Sequence, residues 1–221
     1  MPLNRPMSAL LIIAFPFFPV ASYGEQPKSD DASVKSLAFA TDSSWKPSHF
    51  GGDGTIQMKD NVLSLGFGDP LTGVRWEGDF PKQNYEISLE ARRTGGFDFF
   101  CGLTLPIGEQ RFSLILGGWG GSLVGLSSID GDDASNNETM LIRSFKKDQW
   151  YKVRVRVTAA DKVTVWIDED EVIDVDRNGR VFDIRSELEE SKPMGIAAYQ
   201  CESQIRNVRL RPMQNQTKAS D

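Results

Sequence analysis

The chain has 221 residues, with 31 Asp and Glu against 25 Lys and Arg and a formal charge of −6. That balance argues against sequence-blind nucleic-acid binding, which needs a surplus of Lys and Arg. Two cysteines and one histidine are too few for a Cys/His zinc site with four such ligands. Hydrophobic residues at 39 % are enough for a core, and 20 glycines with 11 prolines make the chain turn-rich.

At the N-terminus, Arg5 precedes the apolar run Ala9 to Phe15, which extends to about Val20. The run is shorter than the roughly 20 apolar residues a spanning helix needs, and Pro16 and Pro19 interrupt it. Small residues follow at Ala21, Ser22 and Gly24. Residues 1–22 are therefore expected to be a secretory signal peptide. The mature chain would be periplasmic or extracellular, without a membrane span. No Cys lies near the cleavage region, so no lipid anchor is expected. Loss of Arg5 takes the formal charge from −6 to −7. Residues 23–36 are expected to be a flexible leader, 37–212 one domain, and 213–221 a flexible tail.

The body has strand periodicity. Tyr85 to Arg92 alternates apolar and polar residues, and Phe97 to Leu105 is almost continuously apolar, as in a strand buried on both faces. Phe112–Leu116 and Leu123–Leu126 flank the glycine cluster Gly117 to Gly121, which predicts a sharp turn or a close backbone approach. Tyr151 to Val157 has the clearest alternation. A turn at Ala160-Asp161-Lys162 leads to Val163–Ile167, and Ile196 to Arg211 alternates again. Asp183 to Glu190 has helix-forming composition but only two recurring apolar residues before Pro193, so a short helix and an irregular strand both stay open. Many short strands with Gly, Pro and Asp punctuation predict an all-β sandwich or jelly roll.

Several chemistries fail on residue types. His49 is the only base for a Ser-His hydrolase, it stands in a loop-like stretch, and no G-x-S-x-G elbow exists. The segment Asp174 to Gly179 matches the first half of an EF-hand loop, but Arg185 stands where the closing acid belongs. A tight Asn178-Gly179 hairpin turn between Val172-Ile173 and Val181-Phe182 is the simpler expectation. The loop Ser127 to Thr139 concentrates Asp130, Asp132, Asp133 and Glu138, hard oxygen donors that suit Ca²⁺ or sugar hydroxyls. Asn137-Glu138-Thr139 and Asn215-Gln216-Thr217 fit the N-glycosylation pattern. Cys101 and Cys201 both fall in predicted strands. Pairing would close a loop of about 100 residues, stabilising by roughly 4–5 kcal/mol, whereas unpaired buried thiols need no such register.

Three stretches carry a family resemblance. Lys59-Asp60-Asn61-Val62-Leu63 resembles an early "D-G-V-L" strand. Trp150 to Val155 with Val163 to Asp168 resembles a "W-x-x-y-x-v-x-V … v-x-v-W-v-N-G" hairpin. Gly195 to Gln200 with Ile205 to Leu210 resembles closing "G-x-I-G-L-Q … F-R-N-I-R-I" strands. Together they resemble the 3-keto-disaccharide hydrolase domain family over about residues 50–211. The stretches Asp98–Leu103 and Gly125–Gly131 resemble a subgroup of exported bacterial proteins abundant in planctomycetes. The resemblance implies a concanavalin A-like lectin/glucanase fold, a jelly roll of two antiparallel sheets with a concave face that meets carbohydrate. It also implies hydrolysis of glycosidic bonds in 3-keto sugars. The family's opening "L-F-N-G-K-x-L-x-G-W" is absent, and Cys201-Glu202 stand where a family His often follows "L-Q". No catalytic set is therefore carried over.

Glycosidase chemistry needs two carboxyls about a bond. The residues at hand are Glu90 and Asp98 as catalytic carboxyls, with Arg92 and Arg111 to bind sugar oxygens. Trp119 and Trp166 would stack on a sugar ring, and Asp130 would bind substrate. Asp130, Asp132, Asp133 and Glu138 form the candidate metal set. Two functions remain, an exported glycoside-cleaving enzyme and a non-catalytic glycan-binding, lectin-like module. Carbohydrate is the expected partner in both.

Overall fold

The computed structural model describes residues 34–159 and 162–213. The expected signal peptide, most of the expected leader, residues 160–161 of the expected turn and the expected tail from 214 lie outside them. Residues 35 and 36, expected in the leader, instead form strand β1 (Lys35–Ser36), which pairs with Leu210 and Arg209.

The period-two segments become strands of two antiparallel sheets. The back sheet contains β3 (Ile56–Lys59), β4 (Val62–Leu65), β6 (Tyr85–Gly96), β11 (Tyr151–Val157), β12 (Lys162–Ile167), β13 (Asp170–Asp176) and β15 (Cys201–Pro212). Its order is β13-β12-β11-β6-β15-β4-β3, with β1 beside β15. The front sheet contains β2 (Trp45–Pro47), β5 (Leu71–Trp76), β7 (Cys101–Ile107), β8 (Gln110–Gly117), β9 (Leu123–Ser127), β10 (Leu141–Ile142) and β14 (Gly195–Tyr199). Its order is β10-β9-β8-β7-β14-β5-β2.

Alternation decides which residues meet between the sheets. Tyr85, Ile87, Leu89 and Ala91 of β6 face Leu103, Leu105, Phe112 and Leu114 of the front sheet in one buried cluster. The Tyr85 hydroxyl donates to the Pro106 carbonyl at 2.6 Å, tying the sheets together, and burial raises its pKa. β7 is buried along its whole length because its other face is covered too.

Two expectations change. Ile196 to Arg211 is not one strand: Gln200, at φ 42°, turns the chain from β14 in the front sheet to β15 in the back sheet. Residues 177–180 do turn, with Asn178 at φ 32° and Gly179 at φ 83°, but they close no hairpin. After them the chain has left the back sheet, and Phe182 bridges to Ile129, just beyond β9 of the front one. Cys101 and Cys201 are both free and buried. Burial pushes their thiols up to about 12 and about 11.

Candidate functional site

Two segments lie on the outer face of the front sheet. The first is the acidic loop after β9. Its Ala134 packs on Gly125, where a Cβ would come within 2.9 Å of the Ala134 Cβ, so this strand position favours glycine. The second is 183–191, which folds into a 3-10 turn at Ser186–Ser191 and settles the open helix question. Its Ile184 and Leu188 pack with Leu71 of β5 and Ala197 of β14.

The two coverings are joined. Ser128 and Asp183 exchange backbone hydrogen bonds of 2.5 and 3.0 Å. Arg180 donates through Nε to Asp130 Oδ2 at 2.8 Å and pairs through its Nη atoms with Glu138. Arg185 Nη1 donates to Asp133 Oδ2 at 2.5 Å. The Val181 N–H and the Arg180 guanidinium hold the Asp130 carboxyl below its ordinary pKa. Among the described residues no group of three or more His, Cys, Asp or Glu is arranged to hold a metal ion. Asp130, Asp133 and Glu138 pair with arginines, and Asp132 stands exposed beside them. Asn137 donates through Nδ2 to the carbonyls of Leu126, Asp132 and Asp133, so its amide is a structural tie and no free glycan acceptor.

Between these coverings and the β8–β9 bend is a cavity of about 230 Å³. Three aromatics shape it: Phe99, Tyr199 and Trp119. The Phe99 and Tyr199 rings lie 5.5 Å apart, tilted by 36°. Trp119 remains 44 % exposed. It sits in the glycine bend, where Gly117, Trp119, Gly120 and Gly121 all have positive φ. At Gly121 a Cβ would meet Arg93 Nη1 at 2.7 Å and the Phe97 carbonyl at 2.8 Å, so the bend depends on glycine there. Ile115 and Leu188 add apolar surface.

Asp98, Arg185 and Glu187 supply the charge. Asp98 accepts from the Phe99 N–H at 2.7 Å and from the Gly120 N–H at 3.3 Å, which fixes it against the tryptophan bend. Arg185 Nε donates to Glu187 Oε1 at 2.5 Å. Burial would lower the Arg185 pKa, but the Glu187 and Asp133 carboxylates raise it, so it stays cationic.

The structure thus joins Asp98 and Trp119 and adds Phe99, Arg185, Glu187 and Tyr199, none of which sequence reasoning selected. Asp130 lies in the neighbouring covering. Glu90 is elsewhere: it faces outward from the back sheet, with Arg206 at 2.7 and 2.9 Å and Asn207 at 2.9 Å. Burial would raise its carboxyl, but Asn207 and Arg206 outweigh that and hold its pKa down. Glu90 and Asp98 therefore stand on opposite outer faces of the sandwich and cannot flank one glycosidic bond. Arg92 and Trp166 share the back face. Arg92 donates to Gln204 Oε1 at 2.9 and 2.6 Å, and Trp166 lies under Arg154 at 3.8 Å. Arg111 Nη1 binds the carbonyls of Glu109 and Gln110, away from the cavity.

Two antiparallel seven-strand paths with a partly covered outer face define a concanavalin A-like jelly roll. Solved structures agree with that class. The VIP36 exoplasmic/lumenal domain in its Ca²⁺/Man3GlcNAc-bound form is 12 % identical, covers 84 % of this chain and 92 % of its own, and has a TM-score of 0.57. The Crh5 transglycosylase in complex with NAG is 11 % identical, with coverage of 83 % and 85 % and a TM-score of 0.55. Carbohydrate-binding module CBM66 from Bacillus subtilis is 12 % identical, with coverage of 76 % and 95 % and a TM-score of 0.51. At these identities the likeness is one of fold. No curated protein sequence matches the chain. The chain belongs to the 3-keto-alpha-glucoside-1,2-lyase-like domain family, which matches residues 42–211.

Proposed function

We propose that the domain binds one pyranose ring in the front-sheet cavity and cleaves the glycosidic bond of a 3-keto-glycoside there. The observation that carries this reading is the meeting of an exposed tryptophan with Asp98 and Arg185 in a single cavity. About 230 Å³ lies below the roughly 300–1,000 Å³ of drug-sized sites, which suits one sugar ring. The apolar C–H face of the ring would stack on Trp119, with its rim toward the charged groups.

A ketone at C3 makes the C2 hydrogen acidic, so cleavage need not place two carboxyls across the bond. Asp98 takes the C2 proton, and the C2–H electron pair becomes an enolate delocalised onto O3. Arg185 stabilises that oxygen as charge develops. The electrons return to form a C1=C2 double bond, the C3 carbonyl re-forms, and the C1–O bond breaks. Asp98 passes its proton to the departing oxygen. Addition of water across C1=C2 then gives the free 3-keto sugar, so the net change is hydrolysis.

A glycan-binding module is the second reading. It is favoured by the engagement of both Asp98 oxygens with backbone N–H groups and of Glu187 with Arg185. Incubation with 3-keto-glucosides, their parent glucosides and a neutral glycan panel separates the two. Release of the aglycone from the 3-keto compounds alone supports the enzyme. Binding without release supports the module, and no response to any sugar overturns both.

Export belongs to the same proposal. Residues 1–22 have the pattern of a cleaved signal, and among the described residues no helix is long and apolar enough to cross a membrane. N-terminal sequencing of the mature protein, expected to begin within about 21–25, tests it.

A further inference from the structure

On the outer face of the back sheet, away from the proposed sugar cavity, strands β11, β6 and β15 stack their side chains in cross-strand rows. Arg156 and Arg211 flank Glu86, and Lys152 and Arg206 flank Glu90. Between these rows Arg154 and Arg209 flank Ser88. Two rows therefore read cation–carboxylate–cation, and the middle one has no carboxylate.

The neighbouring rows supply the missing charge only in part: Arg154 shares a carboxylate with another arginine, and Arg209 pairs with none among the described residues. Glu86 shares Oε2 among Arg154 at 3.3 Å and Arg156 at 2.8 and 3.1 Å, so one carboxylate serves two guanidinium groups. Glu90 is occupied by Arg206 and Asn207. Arg209, Arg211 and Lys152 are exposed and form no ion pair among the described residues. Ser88, the smallest side chain of the rows, opens a depression of about 380 Å³ between the cationic strands. Glu90, Asp168 and Glu169 line it too, Glu90 being taken up by Arg206 and Asn207 and Asp168 by Arg143 and the Lys152 N–H.

The guanidinium groups are also held in place. Trp166 lies 3.8 Å from Arg154 and 5.1 Å from Arg156, and Trp150 lies 4.6 Å from Arg92 and 4.1 Å from Arg206. Arginine held over an aromatic ring loses little freedom on binding, and its planar fork matches a carboxylate or sulfate. Arg154 and Arg209 stand two strand spacings apart, about 9–10 Å between Cα atoms, leaving room for one anionic group over Ser88.

We propose that this face is a second binding site, which takes an anionic polysaccharide by seating one carboxylate or sulfate between Arg154 and Arg209 over Ser88. A chain lying along β6 would follow the two cationic columns. The β13 edge carries Asp170, Glu171, Asp174 and Asp176, which repel a polyanion laid across the strands and disfavour a broad nucleic-acid track. The site is independent of the cleavage proposal, because no residue of the front-sheet cavity takes part.

Calorimetric titration of the mature protein with polygalacturonate, dextran sulfate, neutral dextran and single-stranded DNA tests it. Polygalacturonate or dextran sulfate should bind, neutral dextran should not, and affinity should fall as salt rises from about 50 to 200 mM. Whichever polyanion binds more tightly identifies the group as a uronate or a sulfate. Ser88→Glu supplies the missing carboxylate and should reduce affinity about tenfold or more, the scale of a lost charge-assisted hydrogen bond. Arg209→Ala should do the same while changing the melting temperature little. Equal binding of neutral dextran, tighter binding of DNA, or full affinity in both variants would overturn the proposal.

Discussion

Replacing Trp119 by glycine separates a sugar platform from a packing residue. Trp119 has φ 48° and ψ 55°, in the left-handed region where a non-glycine residue is strained by roughly 1–2 kcal/mol. With 44 % of the residue exposed, just over half is covered. Half of the ~150–250 Å² that an aromatic side chain can bury is about 100 Å², or roughly 2.5 kcal/mol at ~25 cal/mol per Å². Strain relief offsets much of that, leaving a net loss of about 1 kcal/mol and a melting shift of about 2–4 °C. Alanine keeps a Cβ in the strained conformation, so Trp119→Ala should be the less stable of the two, against the usual order. Sugar binding should respond differently. Loss of the ring removes about 2 kcal/mol of stacking and burial, or about 30-fold in Kd. Calorimetry with a 3-keto-glucoside and thermal melting on the same samples measure both quantities. Unchanged affinity in a folded Trp119→Gly protein would refute the platform role.

Other substitutions probe the remaining parts. Asp98→Asn should lower turnover of a 3-keto-glucoside by about 10²–10⁴-fold while sugar binding persists, since a general base is lost and an acceptor is kept. Stability should fall on acidification below about pH 4.5, because Glu90 and Asp130 have folded pKa values below their ordinary 4.5 and 3.8. Carboxylates depressed in the folded state stabilise it above the unfolded pKa and cease to do so as pH falls through the folded pKa. In melting curves from pH 7 to 2, Glu90→Gln should make this loss shallower. Cys101 and Cys201 should resist a thiol reagent at pH 8 until the protein unfolds, and a reductant should leave the melting temperature unchanged.

The strands were legible because alternation is a local signal. Tyr151 to Val157 shows it in seven residues, and the structure pairs all seven with β6. The glycine bend was legible for a similar reason, since a glycine cluster between two apolar runs leaves few alternatives to a turn. The change of sheet at Gln200 was not legible, because alternation continues on both sides and nothing local says which sheet receives each half. The cavity was half legible. Asp98 and Trp119 belong to one short stretch of chain, whereas Arg185, Glu187 and Tyr199 reach it only through tertiary packing of Ile184 and Leu188 on Leu71 and Ala197. The arginine partners of the acidic loop were not legible, because oxygen donors for a cation and salt-bridge acceptors have the same composition. These partners, Arg180 and Arg185, lie more than forty residues away. Glu90 misled because a strand reveals which residues share a face, but not which sheet or which side of the sandwich that face becomes.

The proposed function places the sugar in the front-sheet cavity. The most direct measurement is nuclear magnetic resonance titration of the isotope-labelled protein with a methyl 3-keto-glucoside. Perturbed amides should cluster at residues 98–99, 117–121, 185–188 and 199, with the back sheet unmoved. Perturbations confined to β11, β6 and β15, or none at saturating sugar, would contradict it.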